Sequence, residues 1–163
     1  MRPLGLYLHI PFCKAKCIYC DFYSLPRSEE KMDAYTEALR HDLIHWAAEA
    51  KDCTVDTIYF GGGTPSYLGP DRLCRILETV FAHYHVAKEA EITTEANPDS
   101  AREDRALRQL RSAGFNRISL GMQSASNEEL RLIGRVHTHE QTVAAVRAAR
   151  AAGFDNVSLD LIY

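Results

Sequence analysis

The sequence predicts an α/β fold in which a parallel sheet is covered by outer helices. Short β-branched runs alternate with longer segments of helical periodicity, which is typical of repeated strand–helix units. An internal repeat supports this, because Ala113-Gly-Phe-Asn-Arg-Ile-Ser-Leu-Gly121 returns as Ala152-Gly-Phe-Asp-Asn-Val-Ser-Leu-Asp160. In each copy the glycine suits the left-handed end of a helix and the phenylalanine leads into the next strand. One domain over residues 1–163 is expected.

The individual elements follow from local signals. Strands are predicted at residues 4–10, 57–60, 91–95, 117–121 and 156–162. A long first helix at 29–50 carries an apolar stripe of Met32, Tyr35, Leu39, Leu43 and Trp46. Pro70 suits the first turn of a second helix, whose apolar face is Leu73, Leu77 and Val80. Capping boxes predict three later helix starts, at Ser100 with Glu103, Ser126 with Glu129 and Thr138 with Gln141.

Composition excludes several classes of function. The net charge is −3 with both signs interspersed, so neither nucleic acid nor an anionic membrane is expected as a partner. No apolar stretch is long enough to span a membrane, and the N-terminus is polar again by His9, too early for a signal peptide. The five cysteines do not resemble a secreted disulfide framework. We therefore expect a cytoplasmic protein with reduced thiols.

Three of the cysteines are the most informative residues. Cys13, Cys17 and Cys20 lie within eight residues, so their thiolates can converge on one soft metal centre. Three protein ligands leave a coordination position open, which favours an iron–sulfur cluster. The alternative is structural zinc with His9 as the fourth ligand, although Pro11 stiffens the path from His9 to Cys13. The two other cysteines are interpreted as core thiols.

The remaining polar and glycine-rich features follow the ends of predicted strands. In parallel α/β folds ligands bind at the carboxyl ends of the strands, so these features predict one site at a common rim. The features are Gly61-Gly-Gly-Thr-Pro-Ser66, Glu95-Ala-Asn-Pro98, Gly121-Met-Gln-Ser124 and Asp160.

Each of these features also has a plain structural interpretation. The glycine run has no lysine for a phosphate loop and could be a tight turn, but three glycines favour close approach of a ligand to the backbone. Glu95 could favour a helix start, Gln123 could be a satisfied amide and Arg135 a solvated charge. Asp160 lies in an apolar run and needs a partner or a function. His137 and His139 are interpreted as surface or capping residues.

At these residues the chain resembles the radical S-adenosylmethionine (SAM) superfamily. Specifically, it resembles the branch that contains the oxygen-independent coproporphyrinogen III oxidases and the HemW-type haem chaperones. The resemblance covers essentially the whole chain. Its motifs are Tyr7-x-His-Ile-Pro-Phe-Cys-x3-Cys-x-Tyr-Cys20, Gly-Gly-Gly-Thr-Pro-Ser66, Glu95-x-Asn-Pro98, Asn116-Arg-x-Ser-Leu-Gly-x-Gln-Ser124, Gly134-Arg-x-His137 and Asp160-Leu-Ile-Tyr163.

The resemblance implies a fold, a cofactor pair and a set of site residues. The fold is a partial (β/α) barrel of the radical SAM type, truncated after about five strands. A [4Fe–4S] cluster is held by Cys13, Cys17 and Cys20, and its fourth iron chelates SAM. The implied SAM-binding residues are Tyr7, Tyr19, Gly62, Gly63, Thr64, Glu95, Gln123, Arg135 and Asp160. The implied partners are haem or a porphyrin, haem-accepting apoproteins and an electron donor for the cluster.

One position separates the two branches of this resemblance. The oxidases carry a further cysteine two residues beyond the triplet, where this chain has Phe22, as the haem chaperones do. The resemblance therefore favours a haem chaperone, with a porphyrinogen-decarboxylating oxidase as the alternative, so enzymatic activity stays open. Family members continue past the Asp-Leu-Ile-Tyr strand, and we expect the chain to be an incomplete core domain that lacks their C-terminal part.

Overall fold

The computed structural model describes residues 1–101 and 103–163, and its centre is a five-stranded parallel sheet. In chain order the elements are β1 (Arg2–Ile10), β2 (Phe12–Cys13), β3 (Leu25–Pro26), α1 (Met32–Trp46), β4 (Cys53–Gly62), α2 (Pro65–Leu68), α3 (Pro70–His83), β5 (Val86–Ala96), α4 (Asp104–Ala113), β6 (Arg117–Gln123), α5 (Asn127–Leu132), α6 (His139–Ala151) and β7 (Asn156–Leu161). Short 3₁₀ turns, Glu29–Lys31 and Ala47–Ala50, extend α1 at its two ends.

The sheet order is β1-β4-β5-β6-β7, with every neighbouring pair parallel. Each successive strand therefore lies beside the previous long strand, after a crossover helix, as in a barrel that is built one strand–helix unit at a time. The predicted α/β class and all five predicted strands are confirmed. The strand order also brings all five carboxyl ends to the same edge.

The core lies between the sheet and the helices. The predicted face of α3 is fully buried at Leu73, Leu77 and Val80. Phe115 and Phe154, the paired phenylalanines of the internal repeat, are also completely buried. The glycines before them, Gly114 and Gly153, adopt the predicted left-handed backbone, with φ of 119° and 96°.

Two details of the helices differ from the sequence pattern. Trp46 continues the stripe of α1 but is 59% exposed, because it is the last residue of the helix. The predicted capping box at Ser100 is wrong, since α4 begins at Asp104. The Ser100 hydroxyl is instead bonded to the Asn97 carbonyl and to Ser66 Oγ, which compete with the capping role. The capping box at Thr138 is present, whereas Ser126 accepts from the Glu129 N–H and its own N–H donates to Ser124 Oγ instead of to Glu129.

The two cysteines outside the triplet are buried, as predicted. Cys53 starts β4 and Cys74 lies in α3, where burial raises the pKa of its thiol to about 11. Within the described residues, every helix is too short or too polar to traverse a lipid bilayer.

Candidate functional site

The carboxyl ends of the strands enclose an open cavity of about 650 Å³. All of the predicted site residues except Tyr7 line it: Cys13, Cys17, Cys20, Tyr19, Gly62, Gly63, Thr64, Glu95, Gln123, Arg135 and Asp160. These residues come from segments more than a hundred positions apart in the chain, and the parallel topology brings them together.

The cysteine loop is closed at its base by the short β2–β3 pair. Backbone N–H groups of Leu25 and Arg27 donate to the carbonyls of Pro11 and Cys13, at 2.6 and 3.2 Å. This pairing holds Cys13 just beyond the carboxyl end of β1, where it is only 8% exposed. Cys17 and Cys20 lie further along the loop and are half-buried. The loop thus presents one buried thiol and two accessible ones to the cavity.

Both ring nitrogens of His9 already have partners. Nε2 lies 3.0 Å from the Tyr23 carbonyl oxygen, which can only accept, so Nε2 carries a proton. Nδ1 then accepts from the Tyr7 hydroxyl, also at 3.0 Å. No lone pair remains for a metal, so the arrangement does not support His9 as a fourth zinc ligand. His9 instead tethers the far end of the cysteine loop to β1.

The spread of the thiols suits a cluster better than a single ion. Within the described residues, no three His, Cys, Asp or Glu side chains converge closely enough to hold one metal ion. A [4Fe–4S] cluster binds each thiolate through a different iron, so its ligands lie further apart than those of one ion. Arg135 also lines the cavity, and its positive charge suits an anionic group. The donor set fits an iron–sulfur cluster.

The three consecutive glycines are explained by the protein's own packing. A Cβ on Gly61 would lie 2.6 Å from the Tyr59 ring, and one on Gly62 would lie 2.5 Å from the His9 ring. A Cβ on Gly63 would lie 2.7 Å from the Phe12 carbonyl oxygen. Packing alone thus accounts for the missing side chains, and Gly62 and Gly63 also line the cavity, where approach of a ligand stays a prediction. The glycines let the end of β4 pack tightly against the cysteine loop.

Arg135 joins the cysteine loop to the ends of β5 and β6. Its Nη2 donates to Asn97 Oδ1 at 2.7 Å and to the Gly121 carbonyl at 2.8 Å. Its Nη1 lies 3.5 Å from both Cys17 Sγ and the Tyr19 hydroxyl. Arg135 is therefore a bonded structural cation and not a solvated charge.

A hydrogen-bond chain continues from Arg135 to the buried thiol. Asn97 Nδ2 donates to Thr64 Oγ1 at 3.2 Å, and Thr64 Oγ1 donates to Cys13 Sγ at 3.6 Å. Burial raises the pKa of the Cys13 thiol, and the Thr64 hydrogen bond acts in the opposite direction. The Thr64 hydroxyl thus offsets part of the effect of burial on the Cys13 thiol.

Glu95 is held by two donors. The Tyr59 hydroxyl donates to Oε1 at 2.6 Å, and the Gly62 N–H donates to Oε2 at 3.1 Å. Burial and the adjacent Glu95 carboxylate raise the pKa of Tyr59, so the phenol stays protonated as a donor. Glu95 therefore stabilises the end of β4, not the start of a helix.

Asp160 is more exposed than the sequence suggested. Its flanking leucines, Leu159 and Leu161, are 43% and 61% exposed. It nevertheless accepts a hydrogen bond from Ser119 Oγ, 3.1 Å from both carboxylate oxygens. Gln123 lies nearby with a left-handed backbone, φ 65°, which is uncommon for a non-glycine residue. Ile162 N–H donates to the Gln123 carbonyl and fixes this bend.

Two predicted aromatic residues occupy different positions. Tyr19 lines the cavity beside Arg135, whereas Tyr7 lies one strand away, stacked on the Tyr59 ring with centroids 6.2 Å apart. Tyr59, Asn97 and Ser119 also line the cavity; Asn97 and Ser119 lie in the quoted motifs, but none of the three was predicted as a binding residue. Tyr59 shares a strand face with Gly61, and Asn97 is two residues beyond Glu95, so strand alternation could have indicated both.

The interpretation of His137 as a surface residue is wrong. It is 3% exposed, not a surface residue, because it lies between the start of α6 and the end of β6. Its Nε2 lies 3.1 Å from the Met122 carbonyl. Burial lowers the pKa of His137, which favours the neutral ring. The adjacent Thr138 caps α6, as predicted.

Comparisons with known proteins agree with this architecture. The chain is 44% identical to the heme chaperone HemW of Mycobacterium tuberculosis (strain H37Rv) over 165 residues, covering 99% of this chain and 42% of that protein. It is 37% identical to an oxygen-independent coproporphyrinogen III oxidase of Salmonella typhimurium, covering 99% of this chain and 35% of the relative. The solved structure of coproporphyrinogen III oxidase (HemN) from Escherichia coli, described as a radical SAM enzyme, superposes with a TM-score of 0.90 at 36% identity. That match covers 99% of this chain and 37% of the solved chain.

These relatives are much longer than the chain, which spans about two fifths of their length. The sequence profile of the Radical SAM superfamily matches residues 7–163, from the tyrosine that precedes the cysteine loop to the last residue. The sheet and its flanking helices match a partial radical SAM barrel. The chain belongs to the radical SAM superfamily.

Proposed function

We propose that this chain binds a [4Fe–4S] cluster and SAM in the cavity at the carboxyl edge of its sheet, and that it acts as a HemW-type haem chaperone. The observation that supports this most is the convergence of three thiols, Glu95 and Arg135 on one cavity. Cys13, Cys17 and Cys20 would hold the cluster. When bound, such a cluster supplies one electron at a time to an adjacent ligand.

The chain's own residues would bind and orient the second cofactor. Arg135 brings a positive charge to the cavity wall, which suits a carboxylate. Asp160 and Glu95 are acceptors that suit ammonium or hydroxyl groups. Tyr19 adds an aromatic face at the mouth of the cavity. A zwitterionic ligand with a planar apolar part, such as SAM, matches this set.

Phe22 supports the chaperone over the oxidase. It lines the cavity and is 69% exposed, so it presents an apolar ring where the oxidases are expected to have a further thiol. Several HemW relatives match at higher identity than the 37% of an oxidase, at 44%, 43% and 39%, although another HemW matches at 35%. In this function haem is the cargo, haem-requiring apoproteins are the acceptors, and a redox protein reduces the cluster.

The metal centre is tested by iron and acid-labile sulfide analysis after anaerobic purification. We expect both elements in the wild type, loss of most of both in Cys17→Ser, and retention in Cys74→Ser, whose thiol is remote from the cavity. Zinc without sulfide would contradict the proposal and favour a structural zinc module.

Haem delivery is tested by titrating the protein with haem and following the absorbance spectrum. Saturable binding near one equivalent, followed by transfer to an apo-haem protein, is the expected result. The superposition on HemN favours the oxidase as the second candidate. Incubating reduced, cluster-loaded protein with SAM and coproporphyrinogen III tests it, and decarboxylation without stable haem binding would replace the chaperone proposal.

A further inference from the structure

We infer that Arg117 positions Asp160 through a chain of two serine hydroxyls, and that this chain sets the affinity of the cavity for SAM. The inference rests on the proposed function, because it assigns Asp160 to the SAM site. Arg117 lies on β6 and does not line the cavity. It belongs to the Asn116–Ser124 motif, but it was not predicted as a binding residue.

The hydrogen bonds run in one direction from the cation to the carboxylate. Arg117 Nη2 donates to Ser158 Oγ at 2.9 Å, and Ser158 Oγ donates to Ser119 Oγ at 2.9 Å. Ser119 Oγ then donates to Asp160, at 3.1 Å from each oxygen. Arginine can only donate and a carboxylate can only accept, so the single proton of each hydroxyl is committed toward Asp160.

Asp160 needs this support because its backbone offers little. It lies on the edge strand β7, and the β6–β7 register is irregular there: Leu120 pairs with Leu159, but the next paired residue on β6 is Gln123. Ser119 and Ser158, by contrast, are directly paired across the ladder. The hydroxyl chain thus connects an irregular strand end to the regular part of the sheet.

Arg117 is itself anchored to a third strand. Its Nη1 donates to Thr93 Oγ1 at 3.3 Å, and its Nε lies 4.0 Å from Glu91 Oε1, both on β5. Thr93 and Ser119 are 1% and 2% exposed, so the two hydrogen bonds that they make are shielded from competing water. Asp160 keeps lone pairs beyond the one that Ser119 uses, and these can accept from a ligand donor such as a hydroxyl or ammonium group.

The experiment measures the dissociation constant for SAM in cluster-loaded protein. We expect Ser119→Ala and Arg117→Gln to raise it about tenfold, as loss of one hydrogen bond to a charged group can. In an Asp160→Asn background, Ser119→Ala should change it less than twofold, because its effect passes through the carboxylate. Thr79→Ala is the matched control: its hydroxyl accepts from Arg40 Nε at 2.8 Å between α1 and α3, away from the cavity.

A second measurement needs no cofactor. The Hα–Hβ couplings of Asp160 should indicate one χ1 rotamer in the wild type and rotamer averaging in Ser119→Ala, while thermal midpoints establish that both proteins fold. Unchanged couplings, or equal effects of Ser119→Ala in both backgrounds, would overturn the inference and leave the proposed function intact. Absence of SAM binding by the loaded wild type would instead refute the proposed function, and the inference with it.

Discussion

Replacing Gly63 with alanine should damage the cysteine loop more than the stability of the whole fold. The new Cβ would lie 2.7 Å from the Phe12 carbonyl oxygen, 2.8 Å from Pro11 C and 2.9 Å from the Ile10 carbonyl oxygen. Ordinary contact begins at 3.4 Å, so these backbone atoms must move by roughly half an ångström. The same segment is fastened there, because Gly63 and Thr64 N–H groups donate to the Ile10 and Phe12 carbonyls at 2.8 Å each.

Overpacking of this kind costs about 1–3 kcal/mol of unfolding free energy, which lowers the melting temperature of a chain this long by ~2–12 °C. Because the displaced backbone carries Cys13, the iron content of Gly63→Ala should fall to less than about half of the wild-type value. The assays are thermal unfolding by circular dichroism, and iron and sulfide analysis. Gly153→Ala is the control: it strains a left-handed backbone remote from the cavity, so it should lower the melting temperature but leave iron content unchanged. Full iron loading of Gly63→Ala would refute this reasoning.

Three further outcomes test other parts of the structure. The pKa of Tyr59 is raised above its ordinary value near 10, so the folded state holds the phenol proton more tightly than the unfolded state does. The free energy of unfolding should therefore fall as the pH rises above about 10. Tyr59→Phe should flatten this pH dependence, as measured by urea unfolding at a series of pH values. Phe115→Ala should lower the unfolding free energy by about 3–5 kcal/mol, since a fully buried ring is lost; a loss below about 1 kcal/mol in urea unfolding would contradict its place in the core. Thr138→Ala should cost about 0.5–2 kcal/mol by the same measurement, and Gln141→Ala a smaller amount, because both sides of the capping box are formed.

The parallel sheet and the shared rim could be predicted because their signals are local. Strand periodicity, the helix caps at Ser126 and Thr138, and the glycines before Phe115 and Phe154 are each read within a few residues. Given parallel strands, the convergence of their carboxyl ends follows from topology alone. The placement of the cysteines and of most of the cavity wall at one edge of the sheet could therefore be predicted without knowledge of the inter-strand register.

The contacts within the site depend on inter-strand register, which the sequence does not display. Tyr59 pairs with Thr93 across the β4–β5 ladder, and only this register brings its hydroxyl to Glu95 two residues further on. The packing reason for the glycine run could not be predicted, because the His9 ring and the Phe12 carbonyl that a Cβ would meet come from β1 and β2. Asp160 was expected to need a partner, but that the partner is Ser119 on the neighbouring strand follows only from the β6–β7 register.

The unequal burial of the five thiols has a practical consequence for handling the protein. In metal-free material, a neutral alkylating reagent should label Cys17 and Cys20 quickly, since these are the accessible thiols. Cys13, Cys53 and Cys74 should label slowly because they are shielded, and Cys74 also because its high pKa leaves little thiolate at neutral pH. Mass spectrometry of briefly alkylated samples would then distinguish chains with two added groups from chains with none, and so give the fraction of molecules in any preparation that carry a loaded centre.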